Sequence, residues 1–271
     1  MSPRPVALIT GASAGLGSDY ARQLAARGYD LVLVARREDR MRALAPELEA
    51  AGASVHVLAC DLARHDAAGA VLSFTRALKL SVDVLVNNAG FGFFGDFHEE
   101  PLDEALRMVD LHCRTAVALT HAYLPDMLER RCGAILNVAS TAAFQPVPYF
   151  SLYAATKSFL LSLSEALAVE YGPRGIHVEV VCPGPTATEF GDAAHIPDVV
   201  DTRLYEPSDL VVRRSLEAMD RRQVIVVSGM LNWLGAVSAR FVPRALLRNG
   251  VGHFARRLRD RMAAARGGAS R

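Results

Sequence analysis

Val6-Ala7-Leu8-Ile9-Thr10-Gly11-Ala12-Ser13-Ala14-Gly15-Leu16-Gly17 is the stretch from which the fold is read. Val6 to Ile9 is a short continuous apolar run, the pattern of a strand buried on both faces. Thr10 to Gly17 then places Gly11, Gly15 and Gly17 in a turn directly ahead of a helical pattern. Glycines allow a tight turn and a close approach of backbone to a pyrophosphate, which rests at the positive N-terminus of the helix that follows. The turn, with Ser13 and Leu16 inside it, reads as a nucleotide site more than as a plain strand-to-helix connection.

The same apolar pattern recurs outward from this point, at Leu31 to Ala35, Val55 to Ala59, Val82 to Val86, Ala134 to Ala139, His177 to Cys182 and Gln223 to Val227, which makes seven candidate strands. Helical patterns fill the intervals: Leu16 to Arg27, Arg37 to Ala51, Asp66 to Leu80, Leu102 to Arg130, Ser151 to Tyr171 and Pro207 to Arg222. Near-continuous apolar strands alternating with helices predict an α/β, doubly wound Rossmann-type fold, a seven-stranded parallel sheet with helices on both faces. Asp66 and Ser208 stand where N-caps are expected, and Gly28, Gly52 and Gly172 where helices end. Pro183 to Pro207 has no periodicity and carries Gly184, Pro185, Gly191 and Pro197; a loop of that length reads as a lid over a site. The expected division is a catalytic Rossmann-type domain at 1–228 and a basic C-terminal helical extension at 229–271.

With 271 residues, 51% hydrophobic and 22% charged, the chain has the composition of an ordinary soluble domain with a sizeable core. Its net charge of +1 hides an asymmetry. Residues 229–271 hold nine Arg against one Asp, or +8, which leaves −7 for residues 1–228. Cys60, Cys113, Cys132 and Cys182 fall at scattered spacings, the usage of reduced thiols in a cytoplasmic protein, and imply neither a disulfide framework nor a metal. The N-terminus lacks the pattern of a signal peptide. Val224 to Ala239, an uncharged run, is too short for a membrane span and reads as a buried strand followed by a turn.

Tyr153 and Lys157 lie four residues apart, on one face of a predicted helix. Ser140 lies thirteen residues before Tyr153. An ammonium beside a phenol stabilises the phenolate and lowers its pKa from about 10. Such a phenol exchanges a proton near neutral pH, while the Ser140 hydroxyl offers a second hydrogen bond to the same substrate oxygen. The group served is a carbonyl or its alcohol. Of the 30 Lys and Arg only Lys79 and Lys157 are lysines. A compact ammonium reaches a phenol and a ribose hydroxyl where a planar guanidinium is too bulky.

The residue after the second strand distinguishes the nicotinamide cofactors, since an acid accepts the ribose hydroxyls and an arginine pairs with a 2′-phosphate. Here the chain reads Val34-Ala35-Arg36-Arg37. The expected cofactor is NADP, with Arg36 as the main phosphate partner and Arg37 the second.

These residues resemble the short-chain dehydrogenase/reductase family, in its single-domain branch, over about residues 5 to 228. The motifs are the TGxxxGxG turn (Thr10 to Gly17), Asn87-Asn88-Ala89-Gly90, the Ser140, Tyr153 and Lys157 set, and Pro183-Gly184. The resemblance implies that Tyr153 is the general acid of reduction, that Ser140 holds the carbonyl oxygen and that Lys157 binds the nicotinamide ribose. It also implies cofactor contacts from Asp61, from Asn88, Ala89 and Gly90, and from Thr186 and Thr188. One departure stands out. The family's usual Asn, eight residues before the Thr of the long helix, falls at His112 when counted from Thr120; there it would help hold a water in a proton relay to the Lys. An imidazole also hydrogen-bonds water, so His112 joins the catalytic candidates. His56, His65, His98, His121, His177, His195 and His253 have no motif partner and read as structural or solvated.

Phe91, Phe93, Phe94, Phe144, Tyr149, Phe150 and Phe190 flank the motifs and could wall an apolar pocket, which suggests ketones on rings or acyl chains. Trp233, Leu234, Phe241, Leu246, Leu247, Phe254 and Leu258 alternate with Arg240, Arg244, Arg248, Arg256, Arg257, Arg259 and Arg261. That pattern fits an amphipathic helix, either in peripheral contact with an anionic membrane or serving as an active-site cover or subunit contact. The resemblance implies a homodimer or homotetramer assembled through Leu102 to Arg130 and Ser151 to Tyr171. Nucleic acid is not an expected partner. Two other readings stand beside the oxidoreductase. A non-catalytic NADP-binding sensor or scaffold would have no need of a proton donor at Tyr153, and a nucleotide-sugar epimerase or dehydratase needs a longer chain.

Overall fold

Val6–Thr10 forms β1 with every residue buried, because its apolar run is covered on both faces. The computed structural model describes residues 4–193, 205–239 and 241–268; the expected loop residues 194–204, with His195 and Pro197, and Arg240 lie outside them. From β1 the chain alternates as α1 (Gly15–Ala26), β2 (Asp30–Ala35), α2 (Glu38–Ala50), β3 (Val55–Ala59), α3 (Ala67–Ala77), β4 (Val82–Asn87), α4 (Leu102–Val109) and α5 (Ala116–Arg130). It continues through β5 (Gly133–Val138), α6 (Ser151–Tyr171), β6 (Ile176–Cys182), short β7 (Thr186–Ala187), α7 (Phe190–Ala193), β8 (Glu206–Pro207), α8 (Ser208–Asp220), β9 (Ile225–Val227), α9 (Met230–Ser238) and α10 (Arg244–Gly268).

Seven strands pair in the order β3-β2-β1-β4-β5-β6-β9, all parallel. This is the doubly wound Rossmann-type sheet expected from the strand pattern. One core packs α1, α2 and α8 on one face through Tyr20, Leu24, Met41, Leu48, Val212 and Leu216. The other packs α3 and α5 through Val71, Leu119, Tyr123 and Met127. The order reverses at β1, between β2 and β4, so the C-terminal edges of those strands open a crevice where ligands of such sheets bind.

Several local expectations are corrected. The predicted helix Leu102 to Arg130 is interrupted by a π-helical segment at Asp110–Thr115, whose wide turn carries His112. Asp66 stands at the N-cap of α3 but makes no cap bond, since its carboxylate pairs with Arg64. Pro207, not Ser208, precedes α8. Gly28 and Gly52 end α1 and α2 at positive φ, as read, whereas the turn after α6 is made by Gly175 at φ +95, with Gly172 still helical. Val224 to Ala239 is a strand followed by the helix α9, not by a turn. No helix of the described residues is long and apolar enough to cross a membrane.

Candidate active site

Gly11 sits at φ +68 and its N–H donates to Val34 O at 2.8 Å, which turns the chain over the end of β2. A Cβ on Gly11 would lie 2.8 Å from Asn88 Nδ2, and one on Gly17 would lie 2.2 Å from Gly11 O. Only glycine fits either place. Ala14 precedes α1 in extended conformation, and no side chain caps the helix. The first-turn N–H groups therefore face the crevice, a positive end suited to a pyrophosphate. Leu16 packs into the core behind the turn. The residues present fit a dinucleotide.

The Asn87 to Gly90 stretch locks onto this turn. Thr10 Oγ1 donates to Val86 O at 3.0 Å and accepts from the N–H groups of Asn88 and Ala89, at 2.9 and 3.1 Å. Asn88 Nδ2 donates to Thr10 O at 2.9 Å. Asn87 reaches the other way, donating to Asn137 Oδ1 at 2.8 Å, and Asn137 donates to Ser164 Oγ at 2.8 Å. The buried chain from β4 to α6 includes two residues, Asn137 and Ser164, absent from the sequence reading. An Asn inside the apolar run Ala134 to Ala139 was the available signal.

Ser140, Tyr153 and Lys157 converge. Ser140 follows β5, and its Oγ accepts from Ala142 N–H at 3.1 Å, which fixes the short turn after it. Tyr153 and Lys157 share the inner face of α6 and are 7% and 4% exposed. Lys157 Nζ donates to Val138 O at 2.8 Å and stands 5.5 Å from the Tyr153 ring centroid. Burial lowers the Lys157 ammonium to about 8. Burial pushes Tyr153 up to about 12, with the Ser140 hydroxyl opposing the rise. The expectation that Lys157 depresses the phenol is thereby corrected: desolvation dominates, and the ammonium is turned to the Val138 carbonyl.

His112 lies beside this pair, its ring centroid 5.8 Å from that of Tyr153. Thr156 Oγ1 donates to Tyr153 O at 2.8 Å, so at its 2.8 Å contact with His112 Nδ1 it accepts. Nδ1 is therefore the protonated nitrogen, and Nε2 accepts from Phe91 N–H at 3.2 Å. Burial, then the Lys157 charge, hold the imidazole well below its usual pKa, hence neutral. Both nitrogens are engaged by protein, so the ring clamps the Phe91 backbone to α6. A cavity of about 10 Å³ lies next to it, lined by Thr10, Asn87, His112 and Thr115 among others. Asn87 Oδ1 is buried without a partner.

The remaining candidates spread along the crevice. Arg36 is exposed just after β2 and forms no salt bridge among the described residues. Arg37 donates to Ser13 Oγ at 3.3 Å and pairs with Glu189 at 2.9 Å; Arg40 holds the same carboxylate at 2.5 Å. Asp61 accepts from Ala63 N–H at 3.1 Å and from Arg107 at 3.0 Å, bonds that hold its carboxyl below the usual range against the opposing cost of burial. Gly90 faces His112 and Lys157, where a Cβ would come within 2.8 and 3.5 Å. Pro183 O accepts from Thr141 N–H at 2.9 Å, while Gly184 lies under Asn232 of α9. Thr186 donates to Gly184 O at 2.9 Å, and Thr188 packs against Gly15. Arg40, Arg107 and Glu189 lie outside every motif and were not legible in sequence.

Aromatic rings cover the phenol. Phe150 stacks on Tyr153 at 4.2 Å and Phe190 leans on it at 5.3 Å, with Phe94 behind Phe150 at 6.0 Å. Tyr149 sits at φ +63, a strained position for a bulky residue. Gly95 N–H holds its carbonyl at 2.8 Å, and Arg259 of α10 lies 4.9 Å over its ring while pairing with Asp96 at 3.0 Å. The C-terminal helix thus braces this wall from outside.

Comparison with known proteins agrees with the geometry. The short chain dehydrogenase family matches residues 5–196. Over 214 residues the chain is 31% identical to 17-beta-hydroxysteroid dehydrogenase type 3 of Mus musculus, covering 78% of this chain and 68% of the relative. A short-chain dehydrogenase from Sphingobium yanoikuyae, solved in complex with NADPH, superposes with a TM-score of 0.79 at 35% identity, covering 87% of this chain and 93% of that one. The bulky-bulky ketone specific alcohol dehydrogenase from Comamonas testosteroni superposes with a TM-score of 0.75 at 32% identity, covering 87% and 92%. The chain belongs to the short chain dehydrogenase family, oxidoreductases that bind a nicotinamide cofactor and act on small molecules.

Proposed function

We propose that the protein is an NADP-dependent oxidoreductase interconverting a carbonyl and an alcohol on bulky apolar molecules, with Tyr153 as the proton donor of reduction. The observation that carries this reading is the convergence of Ser140, Tyr153 and Lys157 at the strand ends, beneath Phe150 and Phe190. When bound, the nicotinamide supplies or accepts the hydride. Tyr153, held near 12, is fully protonated at neutral pH, the state a general acid needs. Ser140 offers the second hydrogen bond to the substrate oxygen. Lys157 spends one of its three donors on Val138 O and keeps the others for a ribose hydroxyl.

Arg36 supports NADP, because it leaves the end of β2 without a salt-bridge partner among the described residues while Arg37 and Arg40 share Glu189. Gly11, Ser13, Gly15 and Gly17 would hold the pyrophosphate, and Thr186 and Thr188 the nicotinamide amide. The aromatic wall favours large apolar substrates, and the likeness to the ketone-specific enzyme points the same way. Residues 1–228 form the catalytic unit on this reading, and 229–271 brace it through Asn232 and Arg259. Exposed Leu106, Val117, Phe159 and Val169 on α4, α5 and α6 fit assembly as a dimer or tetramer. Four unpaired cysteines fit the cytoplasm.

The test is NADPH and NADH oxidation against a panel of bulky apolar ketones, with Tyr153→Phe beside the native protein. Turnover with NADPH that vanishes in the variant is the expected result. NADPH binding without turnover on the panel would move the assignment to the sensor or to a substrate outside the panel.

A further inference from the structure

We propose that the C-terminal helices form an interfacial face that seats the protein on an anionic lipid surface. Among the described residues, fifteen large hydrophobic side chains are exposed, and eight of them fall between Met230 and Phe254. Met230 is 73% exposed, Leu231 78% and Phe241 82%. An apolar concentration of this density on an otherwise ordinary surface marks a contact site.

Each helix has an inner and an outer side. On α9 Ala236 is buried and Asn232 packs on Gly184, while Met230, Leu231, Trp233 and Leu234 are exposed. The helix has no charged residue, which water alone does not favour. On α10 Leu247, Val251, Ala255 and Leu258 recur at spacings of three and four and lie inward, wholly or partly buried. Leu246, Phe254, Arg257 and Arg261 share a flank beside that stripe, roughly a quarter turn away, and are exposed. Apolar side chains flanked by arginines are the composition of a helix that rests in a headgroup layer.

Charge decides the occupant. The extension carries +8 in 229–271, and Arg244, Arg248, Arg256, Arg257 and Arg261 form no salt bridge with a carboxylate of the described residues. A second copy docking through this face would bring two such charges together. An anionic bilayer neutralises them. The active-site cover is already supplied by the inner side, through Arg259 on Asp96 and Tyr149. The lipid contact therefore lies behind the wall of the substrate site, where an apolar substrate dissolved in a membrane would arrive.

Trp233 is the only tryptophan of the chain and stands among the exposed apolar residues of α9, so it reports directly. The experiment is Trp233 emission of the full-length protein titrated with vesicles of phosphatidylglycerol and, separately, of phosphatidylcholine. A blue shift with phosphatidylglycerol is expected, at an apparent affinity about tenfold or more above that for phosphatidylcholine and weakened by salt. The pair Arg257→Gln and Arg261→Gln is expected to weaken it about tenfold or more and to leave turnover of a water-soluble substrate unchanged. Leu231→Ser is expected to reduce the shift. No shift with either vesicle, or equal affinity for the two, overturns the proposal. So does a shift that follows protein concentration without lipid, which would assign the face to a second copy. The readout is independent of the catalytic assignment.

Discussion

Lys157 is a buried cation with one carbonyl partner, so its environment opposes the charge it carries. Its pKa falls from 10.5 in the unfolded chain to about 8 in the folded one. Between these values the unfolded state binds the proton that the folded state has released, so stability rises with pH across that window. From pH 7.5 to 9.5 the native protein is expected to gain about 2 kcal/mol over Lys157→Met in urea unfolding. Equal pH dependence in both proteins would mean that the ammonium is better solvated than its burial implies. Tyr153 shifts the opposite way, and above pH 10 the unfolded phenol ionises first and removes stability. Below pH 10 the two effects separate cleanly. The same raised phenol predicts that reduction proceeds at neutral pH while alcohol oxidation accelerates as the medium becomes alkaline, a contrast that initial rates in both directions would test.

The π-helical segment Asp110–Thr115 displaces His112 inward, so that one ring ties the Phe91 backbone to α6. An asparagine carries both a donor and an acceptor, and His112→Asn is expected to keep substantial turnover. His112→Phe strands the Phe91 N–H and is expected to lose about 1–3 kcal/mol in urea unfolding. Near-total loss of turnover in the asparagine variant with stability intact would show that the imidazole does more than clamp. The segment between β6 and α7 offers a second prediction. Glu189 pairs with Arg37 and Arg40 beside Arg36, where a 2′-phosphate is proposed to bind, and a carboxylate there competes with it. Because these ion pairs are about half exposed, Glu189→Gln is expected to tighten NADPH binding only a few-fold. Arg36→Ala is expected to weaken NADPH selectively over NADH by about tenfold or more. Equal effects on both cofactors in a fluorescence titration would remove Arg36 from phosphate recognition.

A buried polar network links α1 to β6, one strand in from the β9 edge of the sheet. Tyr20 of α1 donates to Ser215 Oγ of α8 at 2.7 Å, and Ser215 donates to Glu179 Oε1 of β6 at 2.7 Å, with His177 Nε2 3.5 Å from the other oxygen. Burial raises the Glu179 carboxyl above its usual pKa. Ser215→Ala would leave two buried groups unsatisfied and is expected to cost about 1–3 kcal/mol by urea unfolding, with turnover unchanged if the network is purely structural.

The parallel sheet was legible because strands buried on both faces read as apolar runs and each alternates with a helix. The glycine turn was legible because a single backbone demand, close approach without a Cβ, admits one residue type at Gly11 and Gly17. The π-helical segment was not, since an apolar periodicity continues across it. Neither were Arg107 on Asp61, Arg259 on Asp96 or Glu189 on Arg37, pairs formed between positions 46, 163 and 152 residues apart.

The sequence by itself determined the alternation of the seven sheet strands with their helices, the glycine turn and the spacing of Ser140, Tyr153 and Lys157, because each depends on local pattern or fixed spacing. The tertiary structure decided the direction of the Tyr153 and Lys157 shifts, the tautomer of His112 and which side of α10 faces solvent. Those depend on desolvation and on partners brought together by the fold, and neither is written in the spacing of residues along the chain.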